Sequence, residues 1–160
     1  MKRNYILSIL AISAVAFVSC DMLDDDMSIN GNKPQKQITK SFNDDYPKAR
    51  DVEWDFENGC WVVSFETGWG VDKVEHEAWY DTEGNWLMTK REMHLSKVPQ
   101  HIKDALAADP EYGTARMDDK EVEYYDLPGE DFYRFDLIHD GFEVEVDVTE
   151  GGVVTPAARR

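Results

Sequence analysis

The sequence predicts an α+β fold: a tandem repeat of α-β-β-β-β units whose antiparallel sheet carries its helices on one face. Three observations predict it. Glu75 to Met88 reads as a strand, an acidic glycine turn and a new strand, and the pattern returns from Phe142 to Val154. A helix-spaced apolar stripe stopped by proline precedes each copy: Ile38, Phe42 and Tyr46 before Pro47, then Ile102, Ala105 and Leu106 before Pro110. Between stripe and hairpin, apolar and polar residues alternate with the period of a half-buried strand.

Alternation sets the register of the repeat. Matching Thr82-Glu83-Gly84 to Thr149-Glu150-Gly151 without a gap sets Glu77 against Val144. That puts a carboxylate where the other copy buries an apolar group, and a one-residue slip exchanges the two faces of a strand. Matching Asp81 to Asp147, with one extra residue in the second turn, removes the conflict. His76, Ala78 and Tyr80 then share the inner face with Phe142, Val144 and Val146. Glu75, Glu77 and Trp79 fall outside with Glu143 and Glu145.

Residues 1–19 read as a signal peptide. Lys2 and Arg3 are its positive start, and Tyr5 to Val18 is apolar apart from Ser8 and Ser13. That run is shorter than the roughly 20 residues of a membrane span and suits a signal core. Val18-Ser19-Cys20 resembles the end of a bacterial lipoprotein signal, with Cys20 the lipidation site, although Phe17 stands where such signals usually carry Leu. With Cys20 spent on lipid, no intramolecular disulfide is expected. Residues 20–33 form an acidic tether containing Asp24-Asp25-Asp26. Losing Lys2 and Arg3 makes the chain still more negative than its formal −16. Such a chain has no affinity for nucleic acid phosphates. It meets the membrane through the N-terminal lipid only.

The first unit spans residues 34–93. Its helix starts at Pro34 and stops at Tyr46-Pro47. Val52, Trp54 and Phe56 mark the first strand, Glu57-Asn58-Gly59 a turn, and Trp61, Val63 and Phe65 the second strand. Thr67-Gly68-Trp69-Gly70 is a glycine-flanked loop, and the two strands of the opening stretch follow. The second unit spans residues 94–154. Its helix follows Val98-Pro99 and stops at Asp109-Pro110. Val122 and Tyr124 mark its first strand, and Tyr133, Phe135 and Leu137 its second. His139-Asp140-Gly141 is a tight hairpin, and residues 155–160 are a loose tail.

These residues resemble the β-lactamase-inhibitor-like, PepSY-like family of small exported Bacteroidetes proteins. The resemblance rests on Val98-Pro99 with Ile102 and Leu106, on Tyr46-Pro47 with Ala49, Val52 and Trp54, and on Tyr80-Asp81 with Gly84-Asn85-Trp86. It implies a fold like that of β-lactamase inhibitory protein, and no established activity. The second unit departs from the family pattern at residues 116–121, which lengthen its first connection, and it lacks a counterpart of Trp86.

No residues point to catalysis or to a cofactor. Serine-nucleophile, phosphate-loop and metalloprotease motifs are missing from the sequence. His76, His94, His101 and His139 are scattered, so no metal site is expected. Cys60 has no base near it in sequence. Carboxylates such as Glu75 and Glu77 sit at alternate strand positions and face solvent. A non-catalytic binding role is therefore expected, through Trp69, Glu75, Glu77 and Trp79, with an unknown, basic protein or peptide as partner. The alternatives are a structural envelope lipoprotein and a cation-binding acidic sheet. The expected address is the cell envelope, lipid-anchored to the outer membrane on its periplasmic side or at the cell surface.

Overall fold

A computed structural model describes residues 34–157. The signal segment 1–19, Cys20 and the tether 20–33 lie outside the described residues, as do residues 158–160 of the tail. The elements run α1 (Lys36–Asp45), β1 (Arg50–Glu57), β2 (Cys60–Thr67), β3 (Val74–Tyr80), β4 (Trp86–His94), α2 (Gln100–Ala108), β5 (Arg116–Met117), β6 (Glu121–Asp126), β7 (Phe132–His139), β8 (Phe142–Thr149) and β9 (Val154–Pro156). They build one antiparallel sheet in the order β1-β2-β3-β4-β6-β7-β8-β9, with β5 paired to β7.

Ile38 and Phe42 are the buried residues of α1, four apart on one face. The helix closes where the Tyr46 N–H reaches the Phe42 carbonyl at 2.8 Å and Pro47 forbids another turn. Phe42 inserts its ring edge-on against Trp54 and Phe65, at 5.3 and 5.1 Å between centroids. Such contacts add about 0.5–1.5 kcal/mol each to the burial itself. Around this pair gather Trp61, Val63, Phe65, Ala78 and Tyr80. A second cluster joins Ile102 of α2 to Val122, Tyr133, Phe135, Leu137, Val146 and Val148.

Both clusters occupy the same side of the sheet, and the register shows why. Directly paired residues point to one face. Phe65 pairs with His76, His76 with Arg91, Arg91 with Tyr124 and Tyr124 with Tyr133. This unbroken row carries the inner face across the β4–β6 junction. The junction is a ladder running from Thr89↔Asp126 to His94↔Glu121.

Three details differ from the sequence expectations. Phe142 was expected inside, but it is 74% exposed. It opens β8 beside the hairpin turn, and burial begins only farther along the strand, at Val146 and Val148. Residues 116–121 do not form a plain long connection. Arg116 and Met117 pair with Ile138 and Leu137 of β7 before β6 takes over that edge. β1 also carries a register shift, between Arg50 and Glu53, with Asp51 at φ +50°. Thr155 and Pro156, expected in a loose tail, pair with Asp147 and Val146.

Candidate functional site

The outer face of the sheet carries the residues the sequence singled out. Glu75, Glu77 and Trp79 alternate along β3 with the buried Ala78 and Tyr80 pointing the other way. Glu75 stands directly opposite Glu66 of β2, a repulsive pairing by itself. Lys73 relieves it, with its ammonium 2.6 Å from Glu66 and 2.9 Å from Glu75. The hydrogen bond from Lys73 holds the Glu66 carboxyl below the usual carboxylate range, and Lys73 is itself pushed up to about 12 by the hydrogen bond to Glu66 and then that to Glu75. Glu77 lies between Ser64 and Lys90 across the strands. Lys90 bridges Glu77 at 3.0 Å and Glu123 at 3.4 Å.

Trp69 is 74% exposed in the loop between β2 and β3, and its neighbour Val71 is fully exposed. The loop is a built turn. Gly68 has φ +73°, and a Cβ there would sit 2.1 Å from the Asp72 carbonyl oxygen, so only glycine fits. The Asp72 N–H bonds the Trp69 carbonyl at 3.1 Å. Arg50 stacks its guanidinium 3.7 Å from the Trp69 ring centroid and donates to the Gly68 carbonyl. The same Arg50 lies 3.8 Å from Glu66. A chain of contacts, Trp69–Arg50–Glu66–Lys73–Glu75, thus ties the loop to the strand face.

Trp79 is half-buried, with Val62 and Met88 as its cross-strand neighbours. Four residues separate it from Glu75, roughly 13 Å along an extended strand. The structure therefore gathers Trp69, Glu75 and Glu77 at one end of β3 and sets Trp79 toward the other.

A cleft of about 360 Å³ lies at the Glu75–Glu77 end of β3, and neither Trp69 nor Trp79 lines it. Its wall includes Glu75 and Glu77 together with Asp51, Glu53, Glu66 and Glu92, while Lys90, Arg91 and His76 also line it and offset part of that charge. Ser64 lies among these long side chains, too short to fill the space. Sequence reasoning missed Glu53, Ser64, Glu66, Glu92 and the balancing cations Arg50, Lys73 and Lys90. Parity alone would have placed the carboxylates on this face once the order β1-β2-β3-β4 was known.

The inner face contains a polar seam between the two clusters. His76 stacks on Phe65, with centroids 4.9 Å apart, and its Nε2 lies 2.7 Å from the Thr67 hydroxyl. Thr89 lies 2.6 Å from the Tyr46 hydroxyl and accepts the Trp86 indole N–H at 2.8 Å. Asp126 is raised above the usual carboxylate range by burial and then by Asp131. Among the described residues no group of three or more His, Cys, Asp or Glu is arranged to hold a metal ion. The expectation of no disulfide does not hold: Cys60, buried at the start of β2, is disulfide-bonded and offers no thiolate.

Burial, and then the charge of Arg91, lowers the pKa of His76. The unfolded chain keeps the ordinary value of about 6.5, so between the two values it binds more protons than the fold does. The resulting stability is present above about pH 6.5 and is lost as pH falls through the folded value. Urea melts at pH 7.5 and 5.5 are expected to show lower stability at 5.5. His76→Phe, which keeps an aromatic ring against Phe65, should narrow that gap. An equal gap in the variant would remove His76 as its source.

No family model matches the chain, and no curated protein matches it. Solved structures do. A BLIP-like protein from Bacteroides fragilis is 25% identical, with a TM-score of 0.66 over 82% of this chain and 89% of that one. A DUF2874 family protein from Bacteroides ovatus is 19% identical, with a TM-score of 0.66 over 79% and 89%. A candidate periplasmic protein from Bacteroides eggerthii is 14% identical, with a TM-score of 0.62 over 78% and 89%. These neighbours agree with the β-lactamase-inhibitor-like resemblance read from the sequence, and the fold is BLIP-like.

Proposed function

We propose that the protein is a non-catalytic envelope lipoprotein that binds a basic, partly apolar protein or peptide through its outer sheet face. In this reading the fold is two α-β-β-β-β units in tandem, joined edge to edge where β4 meets β6. One observation carries the binding role: an acidic cleft open on the outer face, with an exposed tryptophan on a braced loop beside it. Carboxylates steer a cationic partner and make its capture salt-sensitive, while the tryptophan supplies desolvated contact area. The candidate periplasmic neighbour supports export.

Trp69→Ala is expected to leave the urea melt within about 1 kcal/mol of the parent, because the ring is mostly solvated and its loss removes only the exposed stack on Arg50. It should weaken capture of the envelope partner by about 30-fold, the effect of a typical anchor residue. Adding Trp79→Ala should deepen the loss of capture and cost some stability, since that ring is half-buried. A stable Trp69→Ala protein that captures everything the parent does would place the interface elsewhere.

Cys20→Ser tests the anchor. The acyl chains are the membrane attachment in this reading, so the variant should leave the membrane fraction or remain unprocessed. The Cys20 sulfur can be spent in a thioether or in a disulfide but not in both. Mass and fractionation are therefore read with and without reductant, which a thioether resists. Membrane association of the variant at the mature mass would refute lipidation.

A further inference from the structure

We propose that the open edge of β1 receives an extended basic peptide as an added strand, on a surface that adjoins the outer-face cleft and shares Glu53 with it. The two edges of the sheet are built differently. β9 is three residues long and ends in Pro156, which has no N–H to offer a neighbour. β1 is eight residues long, and no described strand pairs with its far side.

The hairpin fixes which backbone groups that edge presents. Asn58 and Gly59 form a two-residue turn with φ +51° and +80°. The residues flanking such a turn, Glu57 and Cys60, make the hydrogen-bonded pair, and alternation gives Asp55↔Val62 and Glu53↔Ser64 the same role. The N–H and C=O groups of Trp54 and Phe56 therefore point away from β2, toward the open side.

Side chains define the chemistry of the occupant. On the inner face Val52 and Phe56 are each 39% exposed, an apolar ledge beyond the cover of α1. On the outer face Glu53, Asp55 and Glu57 are exposed, and none makes an ion pair among the described residues. Carboxylates on an edge strand oppose pairing with an identical strand, because a second copy would set like charges against each other. They favour a strand that alternates Lys or Arg with apolar residues. Main-chain bonds would then hold the peptide, and the two alternating faces would select it. The β1 bulge between Arg50 and Glu53 limits the receptive stretch to Glu53–Glu57, with Trp69 stacked on Arg50 at its end.

The test uses the mature chain, a hexapeptide alternating Lys and Val, its Glu-Val counterpart, and a Lys-Val peptide N-methylated on alternate amides. Amide exchange is followed by NMR. Saturating Lys-Val peptide is expected to slow exchange of the Trp54 and Phe56 amides at least tenfold, and the other two peptides should not. Glu53→Lys with Asp55→Lys should transfer the effect to the Glu-Val peptide. The proposal is overturned if Lys-Val does not bind, or binds without slowing those two amides. Equal binding of the N-methylated peptide would also overturn it, since that reports charge alone. So would strong protection of Trp54 and Phe56 before any peptide is added, because residues 20–33 or a second copy would then already fill the edge.

Discussion

Phe135→Ala is expected to lower stability by about 3–5 kcal/mol, the cost of emptying a fully buried aromatic site. Phe135 is 0% exposed on β7, opposite Val146, inside the cluster that fastens α2 to the sheet. Trp61→Ala should cost a similar amount in the other cluster. Trp61 is 3% exposed, packs at 5.0 Å from Phe56 and 6.4 Å from Trp54, and faces Tyr80 across the strands. Two outward residues are the controls. Glu143→Ala removes an exposed carboxylate and should shift stability by less than about 0.5 kcal/mol. Glu77→Ala also removes the ion pair with Lys90, worth at most about 1 kcal/mol at this partly exposed position. Urea melts of the four variants check this. Losses from the glutamate variants that match those from the aromatic ones would mean that the strand faces are inverted.

That prediction could be written from the sequence because strand faces are set by parity. Trp61, Val63 and Phe65 alternate, as do Tyr133, Phe135 and Leu137, and all six are buried. Helix ends were legible for a similar reason, since Pro47 and Pro110 impose them locally. What parity cannot give is how far along a strand the cover extends. Phe142 has the right parity for the core and is still exposed, because it lies at the hairpin end of β8. Nor can one strand show what stands beside it. Glu75 and Glu77 read as free carboxylates, yet Lys73 and Lys90 neutralise part of their charge from a loop and a neighbouring strand. The cleft needed four strands in order before Glu53, Glu66 and Glu92 joined Glu75 and Glu77. Trp69 was legible because two flanking glycines left it nothing to pack against, but the Arg50 stack arises only when β1 lies beside β2.

The second half of the outer face makes a different use of its charges. Arg134 is only 9% exposed there, and it donates through Nε to one Asp147 oxygen at 2.7 Å and through a terminal nitrogen to the other at 2.9 Å. Its guanidinium also lies over Tyr125 and Phe132, at 5.0 and 5.5 Å from their centroids. The carboxylate of Glu145, more than half exposed, stands 3.5 Å away. Asp147→Ala is expected to cost about 3 kcal/mol, the lower end for breaking a buried pair, because Glu145 remains as a weaker partner. The loss comes from leaving a charge in a poorly hydrated place rather than from the pair's net attraction. Replacing both members should therefore hurt less: Arg134→Met with Asp147→Leu fills similar volume and leaves no charge behind. A double-mutant cycle in urea separates these ideas. A single Asp147→Ala loss below about 1 kcal/mol would show that Arg134 is hydrated well enough to do without its partner. A double variant as unstable as the sum of the singles would show that the two side chains act independently. If instead the double variant recovers most of the loss, the single-variant loss is the cost of the orphaned Arg134 charge, and the pair itself adds little net stability between β7 and β8.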